Sequence, residues 1–357
     1  MKNHFPNSYA QVDLQTITTN LHKLKKRISA KKVLFVVKCN AYGHGAVQVA
    51  RHAEPDVDWF GVASVDEGIE LRMGGIKKPI LVFEVPSGRT AAAYQTHNLT
   101  ATVSDFPHFS VLMDGTKYHL NFNTGMNRLG FAPDEAGEVR KLAVANQRLI
   151  CSGIYSHYAT ADDPGSSTVN IQLERFMNIL THFGEIPLVH MSNSGAAVHY
   201  DVDSFHMIRT GLTPLGYTAG NVQPGWLKPV LAWKSRIVQT RQIEPGESVS
   251  YGAAWTAKSR STIGTIPVGY GDGVPRSVGN RLQVWVEGEF YPVVGNVTMD
   301  YIMIDLGNNP VPAETEVTLL GDEGWSAAKW AEAAGTNVHE ILTRLSGGRM
   351  SRSYTDF

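Results

Sequence analysis

Residues 33–53 read VLFVVKCNAYGHGAVQVARHA. A run of apolar, largely β-branched residues ends on Lys38. A polar loop with two glycines, Asn40 to Gly45, follows and leads into GAVQVARHA, which has the spacing of an amphipathic helix. An apolar strand handed directly to a helix is the unit of a parallel sheet, because crossover helices cover both faces of its strands. The alternation recurs. Trp59–Ala63, Ile80–Glu84, Thr100–Val103, Tyr118–Asn123, Gly153–His157, Leu188–Met191 and Phe205–Arg209 are further strand-like runs. Between them lie the helix-like stretches VDEGIELRMGG, DEAGEVRKLAVA and STVNIQLERFMNILTHF. With Val33–Lys38 these make the strand count of a (β/α)8 TIM barrel. An open doubly wound sheet is the competing arrangement for the same alternation.

The rhythm changes after about residue 225. PGWLKPV reads as a linker. LAWKSRIVQTRQI, ESVSYG, STIGTIPVGY, RLQVWVEGEFYPVVG, YIMIDL and EVTLLG are then strands separated by turn signals, with a tight hairpin at Glu287-Gly288. WSAAKWAEAA and NVHEILTRL add short helices near the end. The expected organisation is α/β: a barrel over residues 1–226, then a mostly β domain over 227–357.

Composition bounds the function. The 357 residues are 43% hydrophobic and 18% charged, enough apolar material for a large core. Lys+Arg of 32 against Asp+Glu of 33 leaves a net charge of -1, which argues against a nucleic-acid or membrane partner held by charge. Two cysteines, Cys39 and Cys151, support neither a disulfide framework nor a four-sulfur zinc site, and no metal is expected. The opening MKNHFPNSYAQVDL lacks the apolar stretch of a signal peptide, and no run of about 18 apolar residues occurs, so a cytoplasmic setting is expected.

Chemistry in a parallel barrel sits where strands end and loops begin. Lys38 stands at such an end. A lone lysine there normally snorkels to solvent. The loop carrying Tyr42 shifts the reading towards Schiff-base chemistry with a carbonyl or aldehyde cofactor. Arg128 follows the fifth strand, and His157 ends the sixth. His190, Asn193 and Ser194 surround the seventh, and Arg209 ends the eighth. SNSGAA and RTGL put small residues after strands seven and eight, where barrels of this kind commonly bind phosphate. In the β domain, VSYGAAWTA holds Tyr251, and nothing in its periodicity makes that residue chemical.

Nine segments taken together resemble the alanine racemase family: VVKCNAYGHG, FNTGMNRLGF, GIYSHYATADD, HMSNSGA, IRTGL, VSYGAAWTA, IPVGYGDGVPR, GNVTMD and RMSRSY. They run in order from Lys38 to about Tyr354. The resemblance implies interconversion of L- and D-alanine with pyridoxal 5'-phosphate, supplying D-alanine for peptidoglycan, in a homodimer with composite sites. Lys38 would carry the cofactor and act as one base, and Tyr251 would be the second base, reaching the site from the partner subunit. Tyr42, Ser194, Gly211 and Leu212 match positions that bind the cofactor phosphate, and Asn193 lies beside them. Arg209 matches the arginine facing the pyridine nitrogen. His157 supports that arginine and the tyrosine. Arg128 matches the residue near the cofactor's phenolic oxygen and the substrate carboxylate, Met299 the residue whose backbone N–H meets that carboxylate, and Tyr270, Asp162 and Arg276 match residues of the entryway.

Two departures stand out. Asn121 occupies the place of a lysine, often carbamylated, that holds the arginine equivalent to Arg128. Gly348 falls where a tyrosine commonly precedes the closing pattern, with Ser351 in place of its proline. A missing phenol would enlarge the pocket, so readier acceptance of serine is expected. A serine or broad-specificity racemase is therefore the alternative within the family. Outside it, a decarboxylase of similar architecture should carry a glycine triplet and a cysteine in the β domain, and neither is present. A cofactor carrier would need only the barrel.

Overall fold

The computed structural model describes residues 6–28, 32–200, 205–218, 223–309, 311–345, 347 and 349–356. β1 (Tyr9–Asp13) opens the chain, and eight short parallel strands follow: β2 (Lys32–Val36), β3 (Trp59–Val62), β4 (Ile80–Val82), β5 (Ala101–Val103), β6 (Lys117–Asn121), β7 (Ile150–Tyr155), β8 (Val189–His190) and β9 (Met207–Thr210). Their ladders form two four-stranded sheets, ordered β4-β3-β2-β9 and β5-β6-β7-β8. Backbone bonds join the halves. Thr100 and Val82 pair across β4 and β5, and the His206 N–H donates to the Val189 carbonyl across β8 and β9, so the barrel closes. Closure favours the barrel over the open sheet. Each apolar run expected from the sequence falls on one of these strands.

The strands read as near-continuous apolar runs because both faces are buried. Val33, Leu34, Phe35, Phe60, Leu81 and Leu120 have no exposed surface. Burying such side chains contributes roughly 1.5–3 kcal/mol each. Helices such as Leu14–Arg27, Ala46–Ala53, Val65–Met73 and Ser167–Leu180 cover the outside. Several begin on side-chain caps: Asp13 accepts from the Thr16 N–H, and Ser64 from the Glu67 N–H.

Beyond the barrel the chain is mostly antiparallel: β10 (Leu231–Arg236), β11 (Gln239–Ile243), β12 (Ser248–Val249), β13 (Trp255–Thr256), β14 (Ser261–Ile266), β15 (Gln283–Val286), β16 (Glu289–Val294), β17 (Ile302–Asp305), β18 (Glu316–Leu320) and β19 (Ser351–Thr355). β15 and β16 form the expected hairpin. Glu287 and Gly288 both have positive φ, 46° and 97°, as its two-residue turn requires. The large sheet is ordered β11-β14-β17-β16-β15-β18-β10-β1-β19. β1 is thus a member of this sheet, although the sequence reading placed residues 1–226 in the barrel. It pairs antiparallel with β10 and parallel with β19. One apolar core runs from the barrel into this sheet. A smaller cluster, Ile243, Val249, Ala257, Ile263 and Val294, fills its far end.

Candidate active site

A cavity of about 740 Å³ opens at the C-terminal ends of the barrel strands. Lys38 lines it, two residues past β2. The backbone beyond Lys38 is unusual. Cys39, Asn40, Ala41 and Tyr42 have φ of 52°, 56°, 50° and 50°, one turn of left-handed helix built without glycine. Such a conformation costs roughly 1–2 kcal/mol per residue, so its surroundings must hold it. The side chain of Glu67 accepts from the Cys39 N–H at 2.6 Å and from the Ala63 N–H at 2.7 Å. His44 sits with its Nδ1 3.0 Å from the carbonyls of both Ala41 and Tyr42, and so donates to them. Burial pushes His44 down to about 4, which keeps it neutral. Asn40 accepts from the Ala46 N–H at 2.8 Å, and Arg352 of β19 donates to the Gly43 carbonyl at 2.8 Å.

The turn places the Tyr42 hydroxyl against Gly211, where a Cβ would collide with it. The Gly211 N–H donates to Ser194 Oγ at 3.0 Å, and Ser194 also bonds Thr210. Asn193 caps the helix Ser194–His199 through the Ala196 N–H. Tyr42, Asn193, Ser194 and Gly211 thus converge on one wall, and Leu212 is buried directly behind them.

Arg209 also lines the cavity and is only 3% exposed. Its guanidinium donates to His190 Nδ1 at 2.7 Å and His157 Nδ1 at 3.0 Å, and to the carbonyls of Ser156 and Met191. It also lies 5.1 Å from the centre of the Tyr155 ring. Arginine only donates, so both Nδ1 atoms accept and each neutral imidazole carries its proton on Nε2. His190 passes the pattern on: its Nε2 lies 2.9 Å from His119 Nδ1. Burial, and then the Arg209 charge, hold His157 and His190 well below the ordinary histidine value and push His119 down to about 3. Gln172, from helix Ser167–Leu180, braces the His157 segment by donating to the His157 carbonyl at 2.9 Å.

Arg128, Asp162, Asn121 and His339 also line the cavity. Asn121 is buried at the end of β6, while Arg128 is exposed in the loop beyond it. Tyr251, Met299, Tyr270 and Arg276 lie elsewhere. Tyr251 is 75% exposed and Met299 54% exposed, and neither lines the cavity. They share one face of the β region. The Asn296 side chain donates to the Tyr251 carbonyl, and the Tyr270 N–H to the Thr298 carbonyl. Gly348 lies outside the described residues. Tyr354 packs against Gly45 from β19, away from the cavity.

Several lining or supporting residues escaped the sequence reading. His119 is one, although it alternates with Asn121 along β6 and so shares its inward face, a signal available in YHLN. Glu67, Tyr155, Gln172 and His339 come from elements distant in the chain and carried no local signal.

The fold and cavity define a barrel enzyme with one lysine at its mouth, facing a cation held among neutral histidines. Comparison with known proteins narrows the class. The family described as "Alanine racemase, N-terminal domain" matches residues 12–219, and "Alanine racemase, C-terminal domain" matches residues 230–354. An alanine racemase from Symbiobacterium thermophilum is 37% identical, over 97% of each chain. The crystal structure of alanine racemase from Streptomyces lavendulae superposes with a TM-score of 0.93 at 29% identity, covering 99% of this chain and 98% of the other. That from Bartonella henselae, described with covalently bound pyridoxal phosphate, has a TM-score of 0.90 at 25% identity, covering 98% and 99%. The chain belongs to the alanine racemase family.

Proposed function

We propose that the protein interconverts L-alanine and D-alanine, with pyridoxal 5'-phosphate bound through Lys38, in a homodimer where Tyr251 of the partner subunit completes each site. One observation carries the reading: Lys38 lines one cavity together with Tyr42, Ser194, Gly211 and Arg209. The cavity is of a size that holds a cofactor with a small amino acid. A Cβ at Gly211 would collide with the Tyr42 hydroxyl, so glycine at this position is what lets that hydroxyl reach the wall.

In this reading Tyr42, Ser194, Gly211 and Leu212, with Asn193 beside them, hold the cofactor phosphate, and Arg209 donates to its ring nitrogen. When bound, the cofactor supplies an aldehyde to capture the amino group and an electron sink for the α-carbon. Inversion needs a base on each face of that carbon. Lys38 moves the proton on one face and Tyr251 of the partner subunit on the other. A phenol titrates near 10 and is a poor base unless its ionised form is supported. His157, neutral and protonated on Nε2, is the donor suited to that task. Arg209 stays protonated, so it orients the ring without surrendering a proton. Arg128 and Met299 of the partner subunit meet the substrate carboxylate, and Asp162, with Tyr270 and Arg276 of the partner subunit, lines the approach.

The exposure of Tyr251, Tyr270 and Met299 on one face supports the dimer, since large exposed apolar groups in one patch mark interaction surfaces. The change from parallel to antiparallel strands after β9 supports a division near residue 226. No described helix is long and apolar enough to cross a membrane. A reducing cytoplasm suits the free thiols of Cys39 and Cys151, and D-alanine for peptidoglycan is the corresponding role.

Borohydride reduction of the cofactor-loaded protein followed by peptide mapping is expected to place the label on Lys38. A label elsewhere overturns the assignment. A panel of L-amino acids is expected to give L-alanine the highest kcat/KM, and a serine value thousands of times lower removes the broad-specificity alternative.

A further inference from the structure

The left-handed turn after Lys38 raises the question of what fixes the lysine itself. The N–H of Cys39 belongs to the planar peptide unit that begins at the Lys38 Cα. A hydrogen bond to that N–H therefore fixes the rotation of the plane about Lys38, and with it the direction of the side chain. Glu67 makes this bond at 2.6 Å. Its second oxygen accepts from the Ala63 N–H at 2.7 Å, just beyond β3. One side chain thus ties the strained turn to the end of the neighbouring barrel strand. Both oxygens accept from backbone donors, as an ionised carboxylate does. Glu67 is held in turn at the start of helix Val65–Met73, where its own N–H meets the Ser64 cap. It does not line the cavity, so it has no direct part in the chemistry.

We infer that Glu67 is a positioning residue for Lys38: its carboxylate holds the left-handed turn and so aims the lysine at the cofactor. The inference rests on the reading of Lys38 as the cofactor lysine.

Glu67→Gln tests it. The amide has nearly the same shape, but its NH2 must face one of the two backbone donors. Loss of a charge-assisted bond of this kind corresponds to a factor of about ten. The expected result is a cofactor dissociation constant for the apo-protein raised about tenfold and kcat lowered about tenfold, with KM for L-alanine within about twofold. The melting temperature of the apo-protein should stay close to that of the unaltered chain. Adding Cys39→Gly supplies a residue that adopts positive φ without strain, at an exposed position, so the double variant should recover most of the loss. Unchanged cofactor affinity and kcat in Glu67→Gln overturn the inference, as does a loss that Cys39→Gly does not relieve. Should Glu67→Gln fail to fold, Glu67→Asp replaces it. Aspartate keeps the charge but is one methylene too short to bridge both N–H groups, and it should show the same pattern in weaker form. Wild-type behaviour in Glu67→Asp overturns the inference. Borohydride mapping of the unaltered protein separates the two failures. A label on Lys38 with no effect at Glu67 rejects the clamp alone, whereas a label elsewhere rejects the cofactor reading.

Discussion

His119, His190 and Arg209 form a buried line with a defined direction: the guanidinium donates to His190, and His190 donates to His119. The arginine fixes both tautomers because it has no acceptor to offer. His119 is then held neutral by burial and by the positive charge beyond His190. The consequence for stability has a definite sign. The folded chain keeps His119 unprotonated down to about pH 3 and His44 down to about pH 4, whereas the unfolded chain takes up these protons below about 6.5. Stability is therefore full above pH 6.5 and falls as the pH drops, by about 1.4 kcal/mol per pH unit for each such histidine. In urea titrations between pH 6 and pH 4.5, His119→Asn is expected to show a slope shallower by about that amount than the unaltered chain. Equal slopes would mean that His119 does not titrate in this way. The residues at this scale were unevenly legible. Lys38, His157 and Arg209 stood out because each follows a strand, the position where barrels place chemistry. His119 did not, because it lies within a strand and reads as one more core residue. Glu67 did not either, because its partners are backbone groups that a sequence does not distinguish.

Among the elements, the barrel strands were legible because most are short, largely apolar runs between helices, and the β15–β16 hairpin because Glu-Gly suits its turn. β1 was not. Its five residues, YAQVD, alternate inside and outside, a pattern too short to stand out, and both of its partners lie late in the chain. Its burial shows that the large sheet depends on it: Ala10 and Val12 have no exposed surface. Val12→Asp would bury an unpaired charge and is expected to cost roughly 3–5 kcal/mol, a large part of the 5–15 kcal/mol typical of a folded protein. Chemical denaturation should show that loss, and a change below 1 kcal/mol would show that β1 is dispensable.

At the scale of the whole molecule, the two expected bases do not meet within one chain. Lys38 lines the cavity, and Tyr251 projects from the β region into solvent. No local pattern in VSYGAAWTA announced a role for Tyr251; only the resemblance did. Shared sites make a specific prediction. Lys38→Ala and Tyr251→Phe are each expected to be inactive alone. After subunit exchange the mixed dimers should regain activity, because one of their two sites then has both bases. Verified exchange without any gain would show that each chain uses its own residues. The near-neutral charge of the chain suits such an enzyme, since a small zwitterionic substrate needs a local cation such as Arg128 and no charged surface.

The place of β1 between β10 and β19 also bears on how the chain is made. The barrel strands follow one another without interruption and can close while synthesis continues. β1 leaves the ribosome before all of them, yet one of its edges waits for β10 and the other for β19, more than 330 residues further on. Among the described strands β1 is thus made early and fully paired late, and until β19 follows it keeps an open strand edge, the feature most prone to wrong association.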